Sequence, residues 1–306
     1  MLVVGSLKAI LFKMANSKQI SYENRVTAFI DILGFKQLIK ESTSNIEKIE
    51  LLYKVLKFLK SFERPSKWST EIVSIEENAQ SKGIDNFKIE GSVQCTTFSD
   101  SIVISILVND TNINEVTSTL ITNLSEVGSI LVQANILWRG AISVGQLIHE
   151  KNGIVLGQAL IDAYTFENSY AKYPRIILTD KLIKQLNYPY KSKPESYPYH
   201  LYVERFEDGL VGFHQLKYFE VVQDALFGNT NILKNSINRA KNTIINGLDS
   251  SFDSPDVFLK YKWLKEIYNN LYIDSKIKPK IHELNESIRG NNIHFSYTQD
   301  FYSKND

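Results

Sequence analysis

Residues 87–108 read FKIEGSVQCTTFSDSIVISILV, and this stretch decides the fold. Two runs rich in β-branched residues, 87–97 and 101–108, are separated only by Phe98, Ser99 and Asp100. That spacing predicts a tight hairpin with Asp100 at its tip. Upstream, residues 26–32 (VTAFIDI) form a short apolar run followed by Gly34, which reads as a buried strand entering a turn. Between these strands Ile46, Ile49, Leu52, Val55, Leu56, Leu59 and Phe62 recur at helical spacing. Residues 63–86 are polar and aperiodic and read as an inserted loop.

Downstream, Val116, Leu120, Leu124, Val127, Ile130 and Leu131 mark a helix over 112–134, and 136–144 reads as a strand. A ribbon over 145–157 turns at residues 151–153, a helix covers 159–171, a strand 175–178, and Asp180 is placed to cap another helix. The order β-α-β-β-α-β predicts an α+β fold, a ferredoxin-like split βαβ core over 26–187 with helices on one face of its sheet. Residues 188–230 read as a connector and a hairpin turning at Asp208-Gly209. A helical C-terminal extension occupies 231–306, with helices expected at 237–248, 257–271 and 276–288.

The remaining 1–25 form an N-terminal leader. Its apolar start is shorter than the roughly 20 residues of a membrane span. It lacks the basic region and cleavage site of a secretory signal, and the natural start is either Met1 or Met14. Thirty-five basic residues against 34 acidic ones give a net charge of +1, which argues against a nucleic-acid partner, and no membrane partner is expected. Cys95 is the only cysteine, so an intrachain disulfide and a multi-cysteine zinc site are excluded, in keeping with a cytoplasmic protein.

Asp31 is embedded among Phe29, Ile30, Ile32 and Leu33, and Asp100 stands between Phe98 and Ile102-Val103-Ile104. An unpaired charge in such surroundings carries a desolvation cost of several kcal/mol. Each aspartate alone is a turn former or cap; two at neighbouring strand ends suit a pair of Mg²⁺ or Mn²⁺ ions and a phosphate. Gly34 after the first aspartate either makes a plain strand-to-helix turn or aims amides at a triphosphate.

The segments 29–35 (FIDILGF), 98–101 (FSDS), 139–145 (RGAISVG) and 157–167 (GQALIDAYTFE) together resemble the catalytic domain of class III nucleotidyl cyclases. The nearest flavour is that of the bacterial pyrimidine cyclases of Pycsar antiphage defence, and the resemblance covers about 26–180. It implies that Asp31 and Asp100 hold two ions, Mg²⁺ or Mn²⁺, with the Ile32 carbonyl, and that the amides of Leu33, Gly34 and Phe35 face the phosphates. The ribose 3′-hydroxyl would then attack the α-phosphate, giving a 3′,5′-cyclic nucleotide and pyrophosphate.

The base-reading positions of purine cyclases fall on Thr96 and Ile154, which cannot reproduce the purine readout and favour UTP or CTP. The helix that in the family presents an asparagine and an arginine offers Ile161 and Thr165 instead. Arg139 and Arg175 are therefore the candidate charge stabilisers, or each is an ion pair with a core carboxylate such as Glu167. Tyr164 and Tyr170 are read as core residues, the alternative being contacts to base or sugar, and His149 as a surface residue, the alternative being a phosphate contact. The resemblance further implies a homodimer and a separate effector that senses the cyclic UMP or CMP. The alternatives are an adenylate or guanylate cyclase with altered base contacts, and a nucleotide-binding module without turnover.

Overall fold

The computed structural model describes residues 20–60, 93–151, 153–186, 188, 199–223, 230–251, 253–271 and 273. Its centre is β1 (Glu23–Ile32), buried along most of its length on both sides, with Val26, Ala28, Ile30 and Ile32 on one face and Thr27 and Phe29 on the other. β2 (Gln94–Phe98) and β3 (Ser101–Leu107) form the hairpin expected around Asp100. β1 pairs antiparallel with β3 on one side and with β4 (Trp138–His149) on the other. The order β2-β3-β1-β4 is that of a split βαβ core. β6 (Arg175–Leu178) then adds parallel to β4, and β8 (Val211–His214) and β7 (Glu204–Arg205) extend the same sheet, while β5 (Val155–Leu156) pairs only with β4. The fold is a mixed α/β arrangement on an eight-stranded sheet, and the hairpin expected within 188–230 is continuous with the core sheet.

Even-numbered β1 residues Val26, Ala28, Ile30 and Ile32 form one face with Ile102, Ile104, Ile106, Ile142 and Val144. Above them lie α1 (Phe35–Ser42), α2 (Ile46–Lys60) and α3 (Ile113–Gln133). α3 delivers Val116, Leu120, Leu124, Val127 and Leu131 at three- and four-residue spacing. It ends where Asn135 turns left-handed at φ 59° and the Ile136 amide returns to the Leu131 carbonyl.

The opposite face is also covered, which corrects the expectation of helices on one side only. Phe29, Val103 and Ala141 are buried there beneath α4 (Gln158–Tyr170), which contributes Ala163 and partly buried Leu160 and Phe166. Phe29, Val103, Ala141 and Ile177 make the middle of this face apolar, and leaving it bare would expose them to water. α3 links β3 to β4 over one face and α4 links β4 to β6 over the other. Both steps run the same way between parallel strands, so the two connections have opposite hands, an exception to the usual right-handed rule. The β4–β5 hairpin lies between strand and helix in the second connection.

α5 (Asp180–Leu186), α6 (Tyr199–Tyr202) and α7 (Lys217–Val222) complete the core. In the C-terminal part, α8 (Thr230–Ser250) and α9 (Pro255–Asn270) lie where two helices were expected. They bury Ile237, Ile244, Leu248, Leu264 and Tyr268 against Val132, Leu137, Leu216 and Phe219. The third expected helix, the 63–86 loop and leader residues 1–19 fall outside the described residues. One buried side chain ties three elements: Gln215 accepts the Trp138 amide at 3.0 Å and donates to the Gly128 and Ile136 carbonyls, each at 3.2 Å. Among the described residues no helix is long and apolar enough to cross a membrane.

α4 starts against the backbone of β4. Gly157 has φ 149°, and a Cβ there would stand 2.4 Å from the Gln146 carbonyl oxygen. Gly157→Ala is therefore expected to destabilise the fold by about 1–3 kcal/mol from backbone strain alone, with the clash adding to it. Urea denaturation of the two proteins measures the difference.

Candidate functional site

The C-terminal end of β1, the β2–β3 turn and the N-terminal end of β4 meet at one edge of the sheet. The ladder sets Asp31 opposite Ser101 on one side and Arg139 on the other. The Ile32 amide donates to the Asp100 carbonyl at 3.0 Å, so the two aspartates stand at joined strand ends. The turn between β2 and β3 is tight, with Ser99 at φ 54°, a conformation costly for a residue with a side chain.

Arg139 Nε donates to Asp31 Oδ2 at 3.0 Å and lies 2.8 Å from Glu167 Oε1 on α4, while Nη1 reaches the Ala171 carbonyl at 3.4 Å. The Asp31 and Arg139 side chains are 19% and 25% exposed, whereas that of Glu167 is 3% exposed. Burial raises the Asp31 pKa above the ordinary carboxylate value; Arg139 opposes this and Asp100 adds to it. Burial pushes Glu167 up to about 7, again against the pull of Arg139 and with the help of Asp31. Asp31 and Glu167 thus flank one guanidinium, and Asp100 is near enough to Asp31 to act on its charge.

The turn after β1 is partly as expected. The Leu33 amide donates to the Leu137 carbonyl at 2.8 Å, so it does not face a ligand, which corrects that expectation. Leu33 itself packs against the cluster built by α8 and α9. Gly34 adopts the left-handed conformation at φ 72°, and its carbonyl receives the amides of Gln37 and Leu38 as α1 begins. Among the described residues the amides of Gly34 and Phe35 donate to no backbone carbonyl.

Divalent ions fit this end of the sheet in a specific sense. The carboxylates outnumber the positive charge, and the half-buried Asp31 is incompletely neutralised by Arg139. Yet among the described residues no group of three or more His, Cys, Asp or Glu side chains is arranged to hold a metal by itself. Asp31 and Asp100 can therefore supply only part of a coordination shell, the rest coming from a phosphate, backbone carbonyls and water.

Thr96 lies on the same face of the sheet, but its Oγ1 is 2.9 Å from His149 Nε2, and His149 Nδ1 is 2.8 Å from Ser105 Oγ. Arg25 Nη1 donates to that serine hydroxyl at 3.0 Å. His149 is 6% exposed and not the surface residue expected; burial first, then the Arg25 charge, push its pKa down to about 4. Period-two alternation from Arg139 to His149 puts both on the Asp31 face, and that was the signal available for it. Arg25 and Ser105 carried no comparable signal.

Arg175 does not join the site. It is 1% exposed and forms a bidentate pair with Asp208, one bond being 3.1 Å from Nη1 to Oδ1. The rings of Tyr173, Phe206 and Trp263 stand 5.4, 4.6 and 5.7 Å from its Cζ. With its guanidinium committed to that box, Arg175 is a structural anchor and not a charge donor for a substrate. Ile154, Ile161, Tyr164, Thr165 and Tyr170 are exposed, so the two tyrosines are not core residues, although Tyr164 sets its edge against Phe29 at 5.3 Å.

The raised Glu167 pKa has a definite sign in stability. The folded chain holds this proton more tightly than the unfolded one, so stability is lost as pH rises from 4.5 to about 7. Glu167→Gln removes the loss. Its stability relative to wild type is expected to climb across that window and then level off, by on the order of 1–3 kcal/mol. Urea midpoints measured across the pH range test this.

No family model matches the chain, and no curated protein matches it.

Proposed function

We propose that the chain is a nucleotidyl cyclase that converts a pyrimidine nucleoside triphosphate, UTP or CTP, to its 3′,5′-cyclic monophosphate and pyrophosphate. The observation that carries this reading is the meeting of Asp31 and Asp100 at joined strand ends, beside the open amides of Gly34 and Phe35. Two Mg²⁺ or Mn²⁺ ions, when bound, would supply the charge neutralisation that lets a ribose hydroxyl attack a phosphorus and a pyrophosphate leave. Asp31 and Asp100, with the Ile32 carbonyl, would hold these ions. Gly34 and Phe35 would direct their N–H groups at triphosphate oxygens, as the start of a helix does for anions. Arg139 would stabilise the charge that builds on the phosphates, because it is the one charged donor the ladder places beside Asp31.

The bond chain from Arg25 to Thr96 supports a base contact. Arg25 donates to Ser105, the Ser105 hydroxyl is then free to donate to His149 Nδ1, and neutral His149 gives its Nε2 proton to Thr96. The Thr96 hydroxyl is left to donate to a ring nitrogen or carbonyl of the base. Exposed Ile154, Leu156, Ile161 and Tyr164 fit a second copy of the chain as partner, giving a homodimer in the cytoplasm. The cyclic product would serve as a signal in antiphage defence, read by a separate effector protein. A second reading, a nucleotide-binding module without turnover, is favoured by Ile161 and Thr165, which bring neither charge nor amide to the outer side of α4. An adenylate or guanylate cyclase is the third.

Incubation with each of the four nucleoside triphosphates and Mn²⁺ or Mg²⁺ is expected to yield a cyclic pyrimidine product, identified by mass spectrometry. Asp31→Asn and Asp100→Asn are each expected to lower the rate by at least about 10²-fold. A cyclic purine as the only product overturns the pyrimidine assignment, and nucleotide binding without pyrophosphate release supports the module.

A further inference from the structure

Arg139 is shared between two carboxylates in an unequal way. Its Nε–H makes a hydrogen bond to Asp31 Oδ2 at 3.0 Å. The Glu167 Oε1 atom is nearer, at 2.8 Å, yet it is buried and receives no hydrogen bond. One N–H cannot serve both oxygens fully, so the guanidinium has two alternative partners within reach of a small rotation. The two partners differ in kind. Asp31 stands beside Asp100 at the end of the sheet, whereas Glu167 is enclosed on the buried face of α4. Among the described residues the other Arg139 hydrogen bond, from Nη1 to the Ala171 carbonyl at 3.4 Å, is too long to hold the group in one position.

We propose that Arg139 is a resident counter-ion of Asp31, and that a divalent cation entering at Asp31 and Asp100 displaces it onto Glu167. The proposal rests on the reading that these aspartates bind such a cation. In the arrangement described, the guanidinium occupies one oxygen of Asp31 and repels any second positive charge brought to the other. Transfer to Glu167 removes that repulsion and gives the buried carboxylate the hydrogen bond it lacks. Glu167 therefore acts on cation binding through Arg139 and is a positioning residue, not a ligand.

The test is Mn²⁺ binding by the full chain without nucleotide, by calorimetry and by electron paramagnetic resonance of the free ion. Arg139→Met is expected to tighten binding and Glu167→Gln to weaken it, each by about tenfold. In the Arg139→Met background, Glu167→Gln is expected to have no further effect, because Glu167 then has no guanidinium to receive. If Glu167→Gln weakens binding equally in both backgrounds, its influence is long-range charge alone and the displacement is overturned. Wild-type binding that Arg139→Met leaves unchanged overturns it too, while leaving the metal reading intact. Absence of binding by wild type and Arg139→Met alike overturns both. Wild-type protein offers a readout independent of whether the variants fold. In a Mg²⁺ titration followed by arginine Nε–H nuclear magnetic resonance, the Arg139 signal is expected to shift and saturate, and an unmoved signal overturns the displacement.

Discussion

A carboxylate at the end of a strand buried on both faces needs a counter-charge, and the Asp31–Arg139 contact across the β1–β4 ladder supplies part of it. Removing either partner from such a pair leaves a charge that water reaches only in part, which costs several kcal/mol in comparable cases. The pairing also sets what else is possible there. The guanidinium lies between Asp31 and Glu167, and both carboxyl pKa values are raised, by burial first, with Arg139 opposing the shift in each.

The C-terminal helices reach both borders of this site. Leu33, two residues beyond Asp31, packs into their apolar cluster, and Trp263 of α9 stacks on Tyr173 at 5.1 Å with the rings nearly parallel. Tyr173 belongs to the short loop whose Ala171 carbonyl meets Arg139 and whose next strand begins with the enclosed Arg175. The extension therefore bears on the turn that carries Gly34 and on the loop that borders Arg139. Its packing and the site's geometry are physically continuous.

The strands and principal helices were legible because their signals are local. The FSDS turn lies between two runs of β-branched residues, and α3 repeats apolar residues at helical spacing. The placement of α4 was not legible. On β1 the face beneath α4 carries Arg25, Thr27 and Asp31 and only one apolar residue, Phe29, so its sequence does not announce a second covering layer. Asp31, Asp100 and Arg139 come together as the strand order required, since ladder register follows from the hairpin and the split βαβ path. Arg175 and the Leu33 amide were misjudged for a different reason. Their partners, Asp208 and the Leu137 carbonyl, lie 33 and 104 positions away and meet them only when the sheet closes.

The buried amide of Gln215 works as a ruler. Strands can slide by two residues and still satisfy their ladder and keep the same side chains on each face. In β4 such a slide would replace Arg139 by Ala141 or Leu137 opposite Asp31, leaving the carboxylate bare while the sheet looked intact. Gln215 forbids the slide, because its one side chain grips the Trp138 amide and the carbonyls of Gly128 and Ile136 at once. The choice between two nearly equivalent sheets is thus made by a residue contributed late in the chain, after β8, and the charged pair inherits its alignment from an uncharged one.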